Sequence, residues 1–551
     1  MQKSCKQCGG AFEISEADRE FYAKMEVPVP SLCPPDRMRR RLAFRNERHL
    51  YHRKCTLTGK QIISSASPDK SYPVYDIETW WSDAWDSLSY GRDFDFSRSF
   101  FEQFKELRDA VPRLALQQQK PMENSQYCNC ASQNKNCYLV FSTNHCEDCY
   151  YGSWINYCKD CVDNENALQD ERCYETVDCQ SCYNVIYGEE SKNCSDCAFI
   201  KNCIGCKNCL FCTNLNQAEY CIFNKKVSKD EFEQFKSDLN LGSHEAYQKA
   251  TAQFEELKKH MTVKYCYGAS NENVTGDYNT NCSNCEMIFE STGCEDVRYS
   301  NNMEINVKNV MDHSYWGSNT SETYECQACG YDIYNLRFCN LCWSNCNDLC
   351  YCDHCFSIKD CFGCVSLKQK RFCILNKQYT EEEYRALVPR IIEHMKKTGE
   401  WGEFFPIELA PFDYNESLAQ EWFPKNKEQA IANNYAWHEE KQKDNYQGPG
   451  TVLPDHINDV TDEVTRNILK CEHSGDLYKI IPQELDFYRK MGLAIPRVSP
   501  DERHRQRMLR RRPRLLWNRQ CGLCEVAIQT TYAPDRPEKV LCEACYLKTV
   551  Y

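Results

Sequence analysis

The sequence lacks long apolar runs, is poor in histidine, and carries none of the common nucleotide-binding, metalloprotease or serine-hydrolase motifs. Its 551 residues include only 12 histidines and no G-x-x-x-x-G-K-[ST], H-E-x-x-H or G-x-S-x-G pattern. A membrane-spanning helix needs about 20 apolar residues, so we expect no membrane partner. The first residues, MQKSCKQCGG, have no apolar leader segment. We therefore expect a cytoplasmic protein, and whether it is an enzyme stays open, with no constellation that supports catalysis.

Cysteine is what the sequence has in excess, with 41 residues in three groups. Seventeen lie between Cys128 and Cys221, fifteen lie between Cys266 and Cys373, and nine lie in the two ends. In a reducing compartment, such numbers in a 64.7 kDa chain favour metal ligation or packing of free thiols over disulfides. The net charge of −13 excludes a protein that is basic as a whole.

The two ends of the chain are diverged copies of one module. A shift of 466 positions aligns residues 1–81 with 467–547 without a gap, so that Cys5 falls on Cys471. The arginines that coincide are Arg37, Arg39, Arg41, Arg45 and Arg48 with Arg503, Arg505, Arg507, Arg511 and Arg514. Agreement at so many positions without a gap indicates an internal duplication.

Each module carries two four-position patterns with the spacing of zinc ligands. The first pattern reads Cys5, Cys8, Cys33, Asp36 in the N-terminal copy and Cys471, Ser474, Ser499, Glu502 in the C-terminal copy. The second pattern reads Cys55, Thr58, Asp76, Thr79 and then Cys521, Cys524, Cys542, Cys545. Two C-x2-C knuckles can present four thiolates tetrahedrally, and a carboxylate is also an allowed zinc ligand. We therefore predict two Zn²⁺ ions, one in each copy, and expect the other two patterns to be metal-free.

The N-terminal copy resembles the probable zinc-ribbon domain, a treble-clef-like family. The resemblance rests on Cys5-x2-Cys8-Gly9, Glu20-Phe21-Tyr22 and Cys33-Pro34-x-Asp36-Arg37. That family ends in C-P-x-C-R, so Asp36 stands where the family has its last cysteine. The whole chain also resembles large cysteine-rich bacterial zinc-ribbon proteins. Both resemblances imply zinc and no particular activity.

An arginine-rich arm lies between the two patterns of each module. The arms span residues 37–54 and 503–520, each with eight Lys or Arg and at most one acid. Such clusters beside zinc knuckles are typical of proteins that bind phosphate backbones, which makes RNA or DNA candidate partners. The alternative is that the arms form ion pairs with the protein's own acidic middle. The candidate nucleic-acid-binding residues are Arg37, Arg39, Arg40, Arg41, Arg45, Arg505, Arg507, Arg510, Arg511 and Arg512.

The middle of the chain consists of two related cysteine-rich blocks. A shift of 152 places five cysteines of the first block on five of the second, and the blocks close with EYCIFNKKVSKDEFEQF and RFCILNKQYTEEEYRAL. Ser228 and Thr380, each followed three residues later by Glu, predict the starts of capped helices. Each block should therefore end in a strand followed by a helix.

Short apolar segments recur inside the blocks between Asn, Asp and Gly turns, at a spacing that looks irregular, nine to fifteen residues. Many short strands without long helices favour a β-solenoid. Asn precedes Cys at positions 136, 193, 202, 208, 281 and 345, as in a side-chain ladder at the corners of stacked turns. The cysteines then fit a narrow interior as small apolar groups. The C-x2-C pairs leave open a metal array that holds zinc or an iron–sulfur cluster.

The predicted fold is mainly β, with a cysteine-rich β-solenoid-like middle in two related blocks, flanked by duplicated zinc-ribbon modules, with helical linkers. The predicted boundaries are 1–95 for the N-terminal module, 96–120 for a helical linker, 121–227 for the first block, 228–263 for a second helical linker, 264–378 for the second block, 379–465 for a helix and irregular linker, and 466–551 for the C-terminal module.

The function that these features favour is a zinc-binding structural or interaction scaffold with no evident catalytic site. Residues 121–220 carry 14 acids against six Lys or Arg, so a protein partner could bind the acidic surface of the blocks. The first alternative is a nucleic-acid-binding protein that acts through the arginine arms. The second alternative is a metal buffer or redox protein that uses the central C-x2-C pairs.

Overall fold

Strands dominate the chain, and most of them pair in parallel. The computed structural model describes residues 1–304, 306–328, 330, 337–342, 346–439 and 452–550. Those residues form twelve α-helices and 32 short strands. The predicted strand-rich character is therefore confirmed.

The N-terminal module alternates short antiparallel hairpins with short helices. Its elements are β1 (Gln2–Ser4), β2 (Ala11–Glu13), α1 (Glu16–Lys24), α2 (Pro34–Leu42), β3 (Tyr51–Lys54), β4 (Gln61–Ser64), β5 (Val74–Tyr75) and α3 (Ile77–Trp81). β1 pairs with β2, and β3 pairs with β4. Ser15 and Asp18 form a capping box at the start of α1, and Pro34 occupies the first turn of α2, where its missing N–H costs nothing.

The first block is a stack of short strands in parallel register. It follows α4 (Phe100–Ala110) and β6 (Arg113–Leu114), and its strands are β7 (Gln118–Gln119), β8 (Asn129–Ser132), β9 (Phe141–Asn144), β10 (Ser153–Asn156), β11 (Glu165–Leu168), β12 (Tyr183–Glu189), β13 (Ser195–Lys201), β14 (Lys207–Thr213), β15 (Glu219–Ile222) and β16 (Lys225–Lys226). Ser153 pairs with Glu165, and Ser195 pairs with Lys207, so each strand lies beside the segment twelve residues further on. Only the last strand, β16, turns back antiparallel.

A left-handed backbone recurs at every third residue from Cys130 to Phe223, with φ between 47° and 61°. Each such residue turns the chain through a corner, and Asn and Asp, which tolerate this conformation best, are frequent there. The residue after each corner is buried from Ala131 to Cys212. Sixteen of the seventeen cysteines of the block, all except Cys130, fall in this row of every third position. The spacing of these sixteen cysteines is therefore a multiple of three. The irregular spacing that the sequence analysis gave for the short segments of this block was wrong, because neighbouring strands are in a twelve-residue register.

Corner asparagines form side-chain ladders between successive turns of the chain. Asn136 donates to Asp148 at 3.2 Å, and Asn202 donates to Asn214 at 2.7 Å. These bonds match the ladder expected from the Asn-Cys pairs, although Asn345 lies outside the described residues.

The second block follows two linker helices and repeats the parallel stack. The helices are α5 (Lys229–Asp238) and α6 (His244–Lys259), and the strands are β17 (Thr262–Lys264), β18 (Gly268–Ala269), β19 (Glu272–Asp277), β20 (Asn279–Thr280), β21 (Ser283–Phe289), β22 (Cys294–Arg298), β23 (Val307–Met311), β24 (Asn347–Cys350), β25 (Lys359–Phe362), β26 (Arg371–Ile374) and β27 (Lys377–Gln378). The register is thirteen residues where Cys294 pairs with Val307 and twelve where Lys359 pairs with Arg371. One extra residue in some turns shifts the cysteine frame along the block.

Helices and short 3-10 turns connect the second block to the C-terminal module. The helices are α7 (Glu381–Thr398), α8 (Leu418–Trp422) and α9 (Lys427–Ala432), and the 3-10 helices of the chain are Ser87–Tyr90, Ile407–Leu409, Tyr414–Glu416, Ile457–Asp459 and Asp462–Arg466. Capping boxes at Ser228 and Thr380 start α5 and α7, as predicted. Residues 440–451 of the predicted linker lie outside the described residues. Within the described part of the chain, no helix has the length and apolar character needed to cross a membrane.

The C-terminal module repeats the element order of the N-terminal one. Its elements are β28 (Leu469–Lys470), β29 (Leu477–Tyr478), α10 (Pro482–Met491), α11 (Pro500–Arg510), β30 (Trp517–Gln520), β31 (Ala527–Thr530), β32 (Lys539–Leu541) and α12 (Glu543–Val550). The starts of α10, α11, β30 and α12 lie 466 positions after those of α1, α2, β3 and α3. The sequence duplication is therefore also a duplication of structure.

Candidate metal centres

The first candidate centre consists of Cys5, Cys8, Cys33 and Asp36 in the N-terminal module. The donor atoms of these four residues all lie within 4.8 Å of one another. Cys5 and Cys8 lie on the turn between β1 and β2. Gly9, whose φ is 73°, donates its N–H to the Cys5 carbonyl at 2.9 Å and closes this turn.

The start of α2 supplies the other half of this centre. Cys33 is the N-cap of α2, and Asp36 lies in its first turn. Asp36 Oδ2 lies 3.1 Å from Cys5 Sγ and 3.3 Å from Cys33 Sγ. Burial opposes ionisation of Asp36, but hydrogen bonds from the cysteine thiols and the charge of Arg39 lower its pKa. The carboxylate is therefore available as a metal ligand.

The second candidate centre consists of Cys521, Cys524, Cys542 and Cys545, whose sulfur atoms also lie within 4.8 Å of one another. The first pair lies on the turn between β30 and β31, and the second pair lies where β32 gives way to α12. Cys524 Sγ is 3.7 Å from Cys542 Sγ, and the Cys542 N–H donates to Cys521 Sγ at 3.3 Å. Burial acts to raise the pKa of Cys521, but hydrogen bonds from backbone N–H groups outweigh it and lower this pKa to about 6. The thiolate that a metal requires therefore forms readily at Cys521.

Both candidate centres have the same local design, in which a hairpin turn and a helix start each present two donor groups. This design is consistent with the zinc-ribbon resemblance of the two ends, and either group could hold a metal ion. No family model and no curated protein matches this chain. What these sites can do chemically must therefore be argued from their donor groups.

Hydrogen bonds connect two residues of the second pattern in the N-terminal module. The Asp76 carboxylate accepts from the Thr79 N–H at 3.0 Å and from the Thr79 hydroxyl at 2.6 Å. Burial acts to raise the pKa of Asp76, but these bonds and one from the Cys55 thiol outweigh it and lower this pKa. Trp80 then anchors α3, because its ring is fully buried and lies 5.2 Å from the ring of Phe356. Side-chain packing thus holds α3 in place at this pattern.

Hydrogen bonds also organise the first pattern of the C-terminal module. The Ser499 hydroxyl accepts from the Glu502 N–H at 3.3 Å and caps α11. Glu502 in turn accepts from two nitrogens of Arg505, at 2.7 and 2.8 Å. Cys471 Sγ accepts from the Ser474 N–H at 3.4 Å. The carboxylate is therefore paired with an arginine, and two of the four positions carry serine.

The arm of the N-terminal module docks on the second block. Arg37 and Arg41 of α2 both pair with Asp312, at 2.8 and 3.2 Å. All three side chains are buried. The Arg37 guanidinium lies 5.1 Å from the ring centroid of Tyr299, and Arg41 donates to the Tyr299 carbonyl. Buried charges of this kind need paired, hydrogen-bonded partners, and the second block supplies them.

The arm of the C-terminal module makes equivalent contacts with the first block. Arg503 and Arg507 of α11 both pair with Asp163 at 2.9 Å. Arg503 lies 4.9 Å from the ring of Tyr151, and Arg507 donates to the Tyr151 carbonyl. Each module therefore docks in the same way on the block that lies farther from it along the chain.

Beyond its docking helix, each arm continues onto the other block. Arg48 donates to Ser153 of the first block at 2.9 Å. Arg512 pairs with Asp277 of the second block at 3.1 Å, and Arg514 pairs with Glu290 of the same block. Each module thus contacts both blocks and ties them together.

The structure places the candidate nucleic-acid-binding arginines mostly inside the protein. Of the ten side chains, nine are at most 16% exposed, and only Arg505 is largely exposed, at 61%. The pairs with acids of the blocks are Arg37 and Arg41 with Asp312, Arg40 with Glu325, Arg507 with Asp163, Arg510 with Glu175, Arg511 with Glu290 and Arg512 with Asp277. The pairs within the modules are Arg39 with Asp36, Arg45 with Glu47 and Arg505 with Glu502. The internal ion pairs that the sequence offered as the alternative are present.

Sequence reasoning did not identify the acids that receive the two arms. Asp163 lies twelve residues after Tyr151, and Asp312 lies thirteen residues after Tyr299. The offset between the blocks is therefore 148 residues for these tyrosines and 149 for these aspartates, not the 152 that aligned the cysteines. A search for a tyrosine followed one turn of the stack later by an aspartate would have found both acids.

The central cysteines line the interior of the blocks and bond to the backbone. Cys149 Sγ lies 3.3 Å from the Glu147 carbonyl and 3.4 Å from the Cys158 carbonyl. Burial raises the pKa of Cys128 and of Cys173, which favours the thiol form that can donate such bonds. Among the described residues, no central cysteine belongs to a group whose metal-binding atoms all lie within 4.8 Å. These contacts support packing as the role of the central thiols.

Proposed function

We propose that the chain is a zinc-stabilised structural or interaction scaffold, in which two zinc-ribbon modules clamp two β-solenoid blocks. In this proposal the terminal modules hold the two blocks together, and the blocks present an acidic surface to a protein partner. It assigns no catalytic step to either metal centre, because a site closed by four protein ligands leaves no coordination position for a substrate.

The sulfur spacing in the two centres is the observation that carries the proposal. Sulfur atoms bound to one zinc ion at about 2.3 Å lie about 3.8 Å apart when the site is tetrahedral. Cys8 and Cys33 have their sulfur atoms 3.8 Å apart, and Cys524 and Cys542 have theirs 3.7 Å apart. Thiolate-rich tetrahedral sites favour zinc among common divalent ions.

The crossed docking of the two arms supports the clamping role. A module that binds the block remote from it in sequence closes the chain on itself, and its arm then reaches the other block. Buried arginine–aspartate pairs at Asp163 and Asp312 fix the orientation of each docked module. A protein partner would then bind the acidic surface that the arms leave uncovered.

A β-solenoid is the fold that we propose for the blocks. The twelve-residue register, the corner at every third residue and the buried small side chain after each corner support it. In such a narrow interior the cysteine thiols act as small packing groups, which argues against a metal buffer.

Elemental analysis of protein purified without added zinc tests the proposal. We expect two zinc ions per chain and no iron. A strong chelator should release both zinc ions, and the amides of the two modules should then lose their protection from hydrogen exchange. Zinc well above two per chain, or an iron–sulfur absorption band, would instead favour the metal array.

A nucleic-acid role through the arms is the competing proposal, and it has weaker support. A phosphate backbone would have to displace buried carboxylates from all but one of the ten candidate arginines. If RNA or DNA binds, affinity must fall steeply with salt, because each neutralised phosphate releases counterions. Full-length protein that binds neither RNA nor DNA at low salt eliminates this alternative and leaves the scaffold proposal intact.

A further inference from the structure

A third group of metal-binding side chains lies outside the cysteine centres, where the segment before residue 440 meets the N-terminal module. It consists of Asp413, Glu416 and His438, whose ligand atoms all lie within 4.8 Å of one another. His438 Nδ1 is 3.7 Å from Asp413 Oδ2 and 3.6 Å from Glu416 Oε1. These separations are longer than hydrogen bonds. They are close to the spacing of about 3.0–3.5 Å between ligands that share a metal ion through bonds of about 2.0–2.2 Å.

The backbone holds the three groups in place. Asp413 and Glu416 flank one 3-10 turn, and the Asp413 N–H donates to Glu416 Oε2 at 3.0 Å. Asn415, inside the same turn, exchanges two hydrogen bonds with the backbone of His438, at 2.8 and 3.0 Å. The backbone of His438 is therefore held beside the two carboxylates by contacts that do not involve its ring.

The N-terminal module supplies an outer layer of donors around the carboxylates. Lys70 Nζ binds Asp413 Oδ1 at 2.8 Å, which leaves Oδ2 as the oxygen that faces His438. The Tyr51 hydroxyl donates to Glu416 Oε1 at 2.5 Å, and its ring packs on the imidazole with centroids 5.8 Å apart. Metal-ligating carboxylates are usually oriented by donors of this kind.

The charge and the exposure of the group also suit a cation. Lys70 neutralises one of the two carboxylates, so one negative charge remains when the imidazole is neutral. The Asp413, Glu416 and His438 side chains are 14%, 2% and 18% exposed, so the group is largely buried but in partial contact with solvent. Two carboxylate oxygens and one imidazole nitrogen suit Mn²⁺, Fe²⁺ or Zn²⁺ better than Ca²⁺, Mg²⁺ or a monovalent soft ion.

We propose that Asp413, Glu416 and His438 bind one divalent first-row transition-metal ion, with water in the remaining positions. The ion joins the segment that carries Asp413 and His438 to the N-terminal module through Tyr51 and Lys70. This site is independent of the two thiolate centres and has the open coordination that they lack.

Manganese binding to full-length protein that holds two zinc ions per chain, with no excess zinc, tests the proposal, because Mn²⁺ does not compete well for thiolate sites. The electron paramagnetic resonance signal of free Mn²⁺ reports how much of the ion is bound, and elemental analysis confirms that the zinc stays in place. We expect one Mn²⁺ per chain in the wild type and at least a ten-fold loss of affinity in His438→Ala.

Two further variants separate a metal site from a simple ion pair of His438 with the carboxylates. Asp413→Asn keeps the shape of the side chain and should weaken Mn²⁺ binding, and Tyr51→Phe should weaken it by roughly ten-fold through loss of an outer donor. His145→Ala, which removes a histidine stacked on Tyr157 elsewhere, should bind Mn²⁺ like the wild type. Absence of Mn²⁺ binding to the wild type, or equal loss in His145→Ala, overturns the proposal.

Discussion

The two end modules share their element order and their docking contacts, yet each retains the metal pattern that the other has lost. The N-terminal module keeps the pattern at Cys5 and Asp36, and the C-terminal module keeps the one at Cys521 and Cys545. In each lost pattern the hairpin turn and the capped helix start survive. The hairpin turn and the capped helix start therefore form in both copies, whether or not the four ligand positions are kept.

The substitutes for the metal differ between the two lost patterns. In the N-terminal module, Asp76 caps α3, and Trp80 anchors that helix in an aromatic cluster. In the C-terminal module, Glu502 pairs with Arg505, and the buried residues Phe487 and Tyr488 of α10 pack against the first block. In both modules, hydrogen bonds and side-chain packing hold the pattern that has lost most of its cysteines.

The largest effect should come from Cys521→Ser, and the equivalent substitution Cys55→Ser is its matched control. Cys521→Ser should release one metal ion and unfold the last module, because structural zinc contributes roughly 10–16 kcal/mol of binding free energy in zinc-finger peptides. Cys55→Ser should leave the metal content unchanged. Elemental analysis and limited proteolysis measure both results, and unchanged metal in Cys521→Ser would contradict the assignment of that centre.

The docking arginines should behave alike in the two modules, whichever metal each module keeps. Arg41→Gln and Arg507→Gln should each lower the free energy of unfolding by about 3–5 kcal/mol, because each leaves the charge of a buried aspartate partly uncompensated. The exposed Arg505→Gln should change the unfolding free energy by less than about 0.5 kcal/mol. Urea unfolding measures these costs, and a large difference between the first two variants would break the equivalence of the docking.

The helix anchors should differ between the modules. Trp80 and Tyr546 occupy equivalent positions, but only α12, which carries Tyr546, has a neighbouring metal ligand. We expect Trp80→Ala to cost about 3–5 kcal/mol and Tyr546→Ala to cost less in metal-loaded protein. Hydrogen exchange of the amides in α3 and α12 gives the measurement. Equal exchange in both variants would show that the metal contributes nothing to anchoring α12.

The carboxylate of Asp36 in the N-terminal centre should be replaceable by a thiolate, the donor type of all four residues in the C-terminal centre. Asp36→Cys should keep one zinc ion with similar affinity, and Asp36→Ala should weaken zinc binding by about ten-fold or more. Competition with a chelator measures the affinity. If Asp36→Ala binds zinc as tightly as the wild type, Asp36 is not a ligand.

The smallest effect should come from the interior cysteines, which contrast with those of both ends. Cys203→Ala should cost on the order of 1 kcal/mol, and Cys203→Ser should cost more, because it buries a hydroxyl in place of a thiol. Neither change should alter the metal content. Loss of one metal ion per chain in either variant would assign the central thiols to a metal array.

Features that depend on short sequence distances could be predicted from the sequence. The C-x2-C spacing identified Cys521 and Cys524 as a pair, and the motif Ser228-x2-Glu231 identified a helix start. Both signals lie within one turn of chain, so local geometry alone determines them. The duplication was equally readable, because both copies kept their length.

Features that depend on the stacking of distant segments could not be read in the same way. The three-residue row of cysteines was present in the sequence, but thirteen-residue turns in the second block obscured it. The pairing of Arg507 with Asp163 depends on how whole modules dock, and no local pattern specifies it. The cluster of Asp413 and His438 likewise joins residues that lie 25 positions apart in the sequence, and no local pattern specifies it.

The crossed docking also sets the order in which the chain can mature during synthesis. Asp163 of the first block is synthesised 344 residues before its partner Arg507, so the ion pair cannot form until then. At about 5–20 residues per second, that interval lasts roughly 20–70 s on the ribosome. During this interval, the acidic face of the first block lacks the arginines of the C-terminal module that later dock on it. A chaperone or a transient basic ligand would therefore help the nascent chain more than the finished protein.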